Sequence, residues 1–142
     1  MRDTRNAVVE LAMRVMLVEG DASDRVFGLL TGKLEELGVD ILYELMTTKG
    51  GSRAAKRASD LLARQDIQKR GSGALRIAYE LRQASCARKP ALFERAQEDG
   101  DGRTLGLLVQ LNRSCRRRDA CCMHNDPRLK QAVDALRERL EK

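Results

Sequence analysis

Ile41-Leu42-Tyr43-Glu44-Leu45 returns 36 residues later as Ile77-Ala78-Tyr79-Glu80-Leu81, with four of the five positions kept. Both copies lie in helical apolar patterns that follow a glycine-led break. A fixed period of this size is that of one helix-turn-helix unit, which cannot bury its apolar face alone and hides it against the next unit. The spacing therefore predicts a short α-solenoid. Its plain alternative is two unrelated amphipathic helices with similar apolar faces.

Working outward, the composition supports helices throughout. Leu and Ala dominate the apolar residues, Trp is absent, and Phe27, Phe93, Tyr43 and Tyr79 are the aromatic residues. Prolines are confined to Pro90 and Pro127, and runs of β-branched residues are missing. This leaves little material for strands, so the expected fold class is all-α. At 142 residues the chain is expected to be a single domain, or a piece of a larger protein.

Helix signals can be followed along the chain. Thr4 is placed to cap a first helix whose Ala7, Val8, Leu11, Val15 and Val18 form one apolar stripe, ended by Gly20. Asp21 or Ser23 opens a second helix through Val26, Phe27, Leu30, Leu34 and Leu37, with Gly38 as its C-cap. A third runs from Val39 to Thr47. Lys49-Gly50-Gly51-Ser52 reads as a stop followed by a cap, and Arg53 to about Ala63 as an alanine-rich fourth helix. Asp66 to Arg70 reads as a turn or short helical extension. Gly71-Ser72-Gly73 introduces a fifth helix from Ala74 to about Ser85. Pro90 begins a short helix over 91–97, residues 98–102 read as an acidic loop, and Thr104 caps a helix through Leu111. Asp126-Pro127 is a cap with proline at the first helical position, followed by Leu129, Val133, Leu136 and Leu140.

The segment Gly51-Ser52-Arg53-Ala54-Ala55-Lys56-Arg57-Ala58-Ser59-Asp60-Leu61-Leu62, with the period, resembles the HEAT and armadillo-type repeat families. The likeness covers about residues 22–97, the repeat-like core; residues 98–142 depart from it as a cysteine-containing C-terminal cap. The resemblance implies a right-handed α-α superhelix of antiparallel helical hairpins, with a curved surface that holds proteins, and sometimes nucleic acids, without catalysis. In that setting Leu30, Ile41, Leu45, Leu61, Leu62, Ile77 and Leu81 are the expected core.

Cys86, Cys115, Cys121 and Cys122 cluster in the C-terminal part, with His124 beside them. Pairing the adjacent Cys121 and Cys122 is strained, which leaves Cys86–Cys121 with Cys115–Cys122, or Cys86–Cys122 with Cys115–Cys121. The competing reading is zinc held by Cys86, Cys115, Cys121 and His124, but no C-x-x-C knuckle supports it. Disulfides point to a periplasmic or extracellular setting, free thiols to the cytoplasm. A Cys–His nucleophile at His124 finds Arg116, Arg117 and Arg118 around it and little beyond Asp119 and Asp126 to orient it. Gly28 to Leu34 is one residue short of a phosphate loop and lacks its Ser or Thr. No catalytic activity and no cofactor are expected.

Charge is asymmetric. Residues 1–46 hold 5 basic and 9 acidic side chains, and residues 47–142 hold 22 and 12, giving the net +6. Arg53, Lys56, Arg57, Arg64, Lys69 and Arg70 are the candidate surface for an acidic protein partner. The alternative is sequence-independent nucleic-acid binding by the same basic helical surface, backbone-driven because aromatic side chains are scarce. The apolar stretch Val8 to Val18 is interrupted by Glu10 and Arg14, so it reads neither as a membrane span nor as a secretory signal.

Overall fold

The structure, a computed structural model, describes residues 2–18, 20–113, 115 and 121–142, without the side chains of residues 2 and 3. Among the described residues every regular element is helical. They are α1 (Arg2–Leu17), α2 (Asp21–Leu30), α3 (Glu35–Thr48), α4 (Arg53–Leu62), α5 (Gln65–Gln68), α6 (Gly73–Gln83), a 3-10 turn (Lys89–Leu92), α7 (Phe93–Asp99), α8 (Gly102–Leu111) and α9 (Pro127–Glu141). The chain divides into two compact units, Met1–Ser72 and Gly73–Lys142, at the Gly71-Ser72-Gly73 break.

In the first unit α3 packs on α4, α1 on α2, and α2 on α3. Its buried residues include Met13, Met16, Phe27, Leu30, Val39, Ile41, Leu42, Leu45, Ala54, Ala55, Ala58, Leu62 and Ile67. The alanine face of α4 is what lets α3 approach closely, and Ser52 caps the helix by accepting the Ala55 N–H at 3.0 Å. Leu61 is half-buried, the one departure in the expected core set.

Two expectations fail here. The second helix does not run to Leu37; it stops at Leu30, and α3 already includes Gly38. The reason is tertiary: a Cβ on Gly38 would collide with the carbonyl oxygen of Leu30 and lie 2.8 Å from its carbonyl carbon. Gly38 is thus the point where α3 crosses the end of α2, and Glu35 takes a left-handed φ of 46° to make the reversal. The second failure concerns α1, which starts at Arg2, before Thr4. It buries Met13 and Met16, while Val8, Leu11 and Val18 of the expected inward stripe are exposed.

The second unit packs α7 and α8 on α9, and α6 on α7 and α8. Ile77, Leu81, Phe93, Ala96, Leu108, Leu129, Ala132, Val133 and Leu136 form its core. The expected acidic loop is a tight helix-to-helix junction. Gly100 ends α7 and Asp101, in place of Thr104, caps α8: it accepts the Arg103 N–H at 3.0 Å, while Thr104 Oγ1 accepts the Asp101 N–H at 3.3 Å. A Cβ on Gly100 would lie 2.8 Å from Thr104 Cβ, so only glycine admits this approach. Asp126 caps α9 as expected, accepting the Arg128 N–H at 2.9 Å. Leu140, expected inward, is exposed near the end of α9.

Candidate functional site

All four cysteines lie in the second unit and resolve the pairing. Cys86 bonds Cys121 and Cys115 bonds Cys122, with Cα–Cα distances of 5.3 and 5.6 Å. Both distances are ordinary for disulfides. The zinc alternative is not assembled, because Cys86 and Cys121 have spent their thiols on each other and Cys115 on Cys122. His124 instead places Nδ1 2.9 Å from the Asn112 carbonyl oxygen. Asn125 follows with a left-handed φ of 64°, and its N–H donates to Asn112 Oδ1 at 3.1 Å. A Cys–His nucleophile has no free thiol here. Arg116, Arg117, Arg118 and Asp119, weighed as its surroundings, lie outside the described residues.

The Cys86–Cys121 bridge closes one side of an open groove of about 680 Å³. Its other walls come from the last turns of α6 and α8 and from the 3-10 turn. Half-buried Leu107 and Leu111 supply apolar surface above the buried Leu81, Gln110 an amide, and Arg82 and Lys89 two cations. The helices end here for a reason that also charges the site. The last carbonyls of α6 have no intrahelical donors, and their partial negative charge attracts cations. Lys89 answers by donating from Nζ to the Leu81 carbonyl oxygen at 2.5 Å. Burial, with the neighbouring Arg82 charge added, holds the Lys89 ammonium below its ordinary pKa. An ammonium carries three donors, and among the described residues one is used. Arg82 is exposed and has no ion-pair or hydrogen-bond partner among the described residues.

Several other cations of this unit are engaged, while Arg76, Arg88, Arg113, Lys130 and Arg137 are exposed without an ion pair among the described residues. Arg95 pairs with Glu80 at 2.6 Å, Arg103 with Asp101 at 2.7 Å, and Arg139 donates to the carbonyl oxygens of Gln97 and Gly100. What sets the groove apart is an apolar strip beside its positive edge.

The six basic residues singled out from sequence all belong to the first unit, and the structure spends most of them internally. Lys56 pairs with Asp60 at 3.3 Å, Arg64 with Asp66 at 2.7 Å, and Arg57 with Asp24 at 2.7 Å while lying 4.1 Å over the Phe27 ring. Arg70 donates to the Thr31 carbonyl oxygen. Arg53 is also engaged, and Lys69 is exposed. Such exposed pairs add little stability, but each one cancels a charge that an acidic partner would have met. By unit, residues 1–72 carry 12 basic and 11 acidic side chains, net +1, and residues 73–142 carry 15 and 10, net +5. The positive body is the second unit. Sequence reading missed Arg82 and Lys89 because they face one groove only after the chain reverses at Cys86.

Phe27, Phe93 and Tyr43 are buried and Tyr79 is half-buried, so none of the four aromatics stands exposed as a platform for bases. Among the described residues no helix is long and apolar enough to cross a membrane. No protein-family model, curated protein or solved structure matches this chain.

Proposed function

We propose that this protein is a non-catalytic interaction module whose second unit receives an acidic, amphipathic protein segment in the Arg82/Lys89 groove. The observation that carries this reading is the coincidence in one recess of an apolar strip, Leu107 and Leu111 over buried Leu81, with two cations that have no carboxylate partner among the described residues. A helix laid in a groove buries its apolar face and sets its acidic flank against such an edge. Charge then contributes orientation and on-rate, and the leucines contribute residence. Sequence-independent nucleic-acid binding is the second reading, and the +5 net charge of the second unit supports it. The leucine lining favours protein, since a phosphate backbone has nothing to place on an apolar strip.

The repeat reading stays with this proposal. Ile41, Leu42 and Leu45 in the first unit and Ile77, Ala78 and Leu81 in the second are buried at matching positions of the repeated motif. That equivalence is what one ancestral hairpin used twice, as in a HEAT-like array, would leave. An oxidising compartment is the proposed setting, since two disulfides hold the groove's surroundings.

Calorimetric titration with a synthetic helix of one leucine face and a glutamate flank tests the reading. Binding that R82E/K89E lowers at least tenfold, and that a glutamate peptide without leucines does not reproduce, is expected. Equal binding by both peptides, or by single-stranded oligonucleotide with a steep salt slope, would favour the second reading.

A further inference from the structure

The two bridges meet at one peptide bond. Cys121 and Cys122 are neighbours in the chain, so Cys86–Cys121 and Cys115–Cys122 hang on adjacent α-carbons, ~3.8 Å apart across a trans peptide. With Cα–Cα distances of 5.3 and 5.6 Å across the bridges, the four sulfurs belong to one cluster. None of the four cysteines lies in a helix. Cys86 is in the turn after α6, Cys115 follows α8, and Cys121 and Cys122 precede α9 in irregular chain. Exchanging partners within the cluster therefore breaks no helical hydrogen bond. Access to solvent is unequal: Cys122 is exposed, while Cys86, Cys115 and Cys121 are half-buried.

We infer that this cluster is a thiol–disulfide exchange site, which takes an external thiol at Cys122 and passes the exchange through Cys115 to Cys121, freeing Cys86. Which sulfur of a disulfide is attacked depends on access, and access selects Cys122. In the first step the external thiolate bonds to Cys122 Sγ, the Cys115–Cys122 bond breaks, and its electron pair leaves on Cys115. The bridged sulfur next to the former partner of Cys115 is that of Cys121. Cys115 Sγ bonds to Cys121 Sγ, the Cys86–Cys121 bond breaks, and its electron pair leaves on Cys86. Cys86 takes up the proton that the external thiol gave to solvent. Two disulfides stand before and two after, one of them now mixed, so no oxidant or reductant is consumed. The Cys86 thiolate then attacks the mixed disulfide at Cys122, returns the external thiol, and leaves Cys86–Cys122 with Cys115–Cys121. That is the other pairing open to four cysteines of which two are adjacent, since joining Cys121 to Cys122 is strained.

Two independent staples have no need of neighbouring cysteines. A relay does, because the thiolate released from one bridge must reach a sulfur of the other. Cys121 also lines the groove, so the exchange detaches that wall from the turn after α6. The consequence for a bound segment rests on the reading proposed above; the exchange itself does not.

The test accordingly uses no partner peptide. The oxidised full chain is exposed to millimolar glutathione, quenched in acid, alkylated and mapped by peptide mass spectrometry over time. Glutathione on Cys122 together with alkylated Cys86 is expected. In C115A/C122A, which keeps the Cys86–Cys121 bridge alone, release of Cys86 is expected to slow at least tenfold. Equal release in the two chains would overturn the inference. So would glutathione on Cys122 with alkylated Cys115 and an intact Cys86–Cys121 bridge at every time, first attachment at Cys86 or Cys121, or no attachment at all. Should the variant not fold, the map of the unaltered chain decides by itself.

Discussion

Lys89 Nζ donates to the carbonyl oxygen of Leu81 across 2.5 Å, tying the 3-10 turn to the last turn of α6. This one bond serves two purposes. It satisfies an orphan carbonyl of α6, and it fixes an ammonium beside Arg82 at the edge of an apolar groove. Charge placed to finish a helix is thereby also the charge that the proposed partner would meet.

The pH dependence of partner binding follows from that placement. Burial first, and the Arg82 charge second, lower the Lys89 pKa below its ordinary value. The unfolded chain therefore keeps its proton to higher pH than the folded one. Between the lowered and ordinary values the unfolded state binds more protons, so Lys89 makes folding more favourable as pH rises. Binding of an acidic peptide runs the other way, because it needs the ammonium. Affinity is expected to fall on the alkaline side before ordinary lysines titrate, and K89R should hold it to higher pH. Titrations at stepped alkaline pH check this.

Reduction of the disulfides is expected to loosen the second unit only. Bridges at sequence separations of 35 and 7 each contribute roughly 2–4 kcal/mol through the unfolded chain. The first unit contains no cysteine. Hydrogen exchange with and without a dithiol should show protection lost over α6 to α9 and kept over α2 to α4.

Gly38→Ala is expected to destabilise the first unit by about 1–3 kcal/mol, the range of an overpacked interior site. The added methyl has no exit, because its neighbour is the backbone of Leu30 and not the end of a flexible side chain. A control substitution, Gly28→Ala, meets nothing within 4 Å and should be neutral or mildly stabilising. Thermal melts of the two variants separate the effects.

Asp101 should matter more at neutral pH than in acid. Burial pushes its carboxyl up, but the Arg103 guanidinium and the backbone N–H groups of Arg103 and Thr104 outweigh that and hold its pKa below the ordinary value. Its contribution is therefore present above the ordinary carboxylate range and is lost as pH falls through the lowered value. Asp101→Ala is expected to cost about 1 kcal/mol at neutral pH, typical of an N-cap. The difference from the unaltered chain should shrink in acid melts.

How far the sequence could be read depended on whether a feature was local. Ser52 and Asp126-Pro127 marked their helix starts correctly, since a cap is set by the residues that follow it. Gly38 looked like a helix end because glycine usually is one; its role as a crossing point exists only when α3 meets Leu30. On α1 two apolar sides compete. The better-spaced Val8, Leu11, Val15 and Val18 side is the one left outside, because the approach of α2 and α3 chose Met13 and Met16. The cysteines gave two pairings, and chain reversal selected one. The basic cluster of 53–70 was visible as charge, but its counterions at Asp24, Asp60 and Asp66 were visible only as geometry.

Methyl NMR mapping of the oxidised, full chain tests the central claim most directly. With the leucine-faced, glutamate-flanked helix as probe, the account predicts saturable shifts at Leu81, Leu107 and Leu111 that disappear in R82E/K89E. Shifts centred instead on Arg53 to Arg70, or shifts at the three leucines that persist in R82E/K89E, would contradict it.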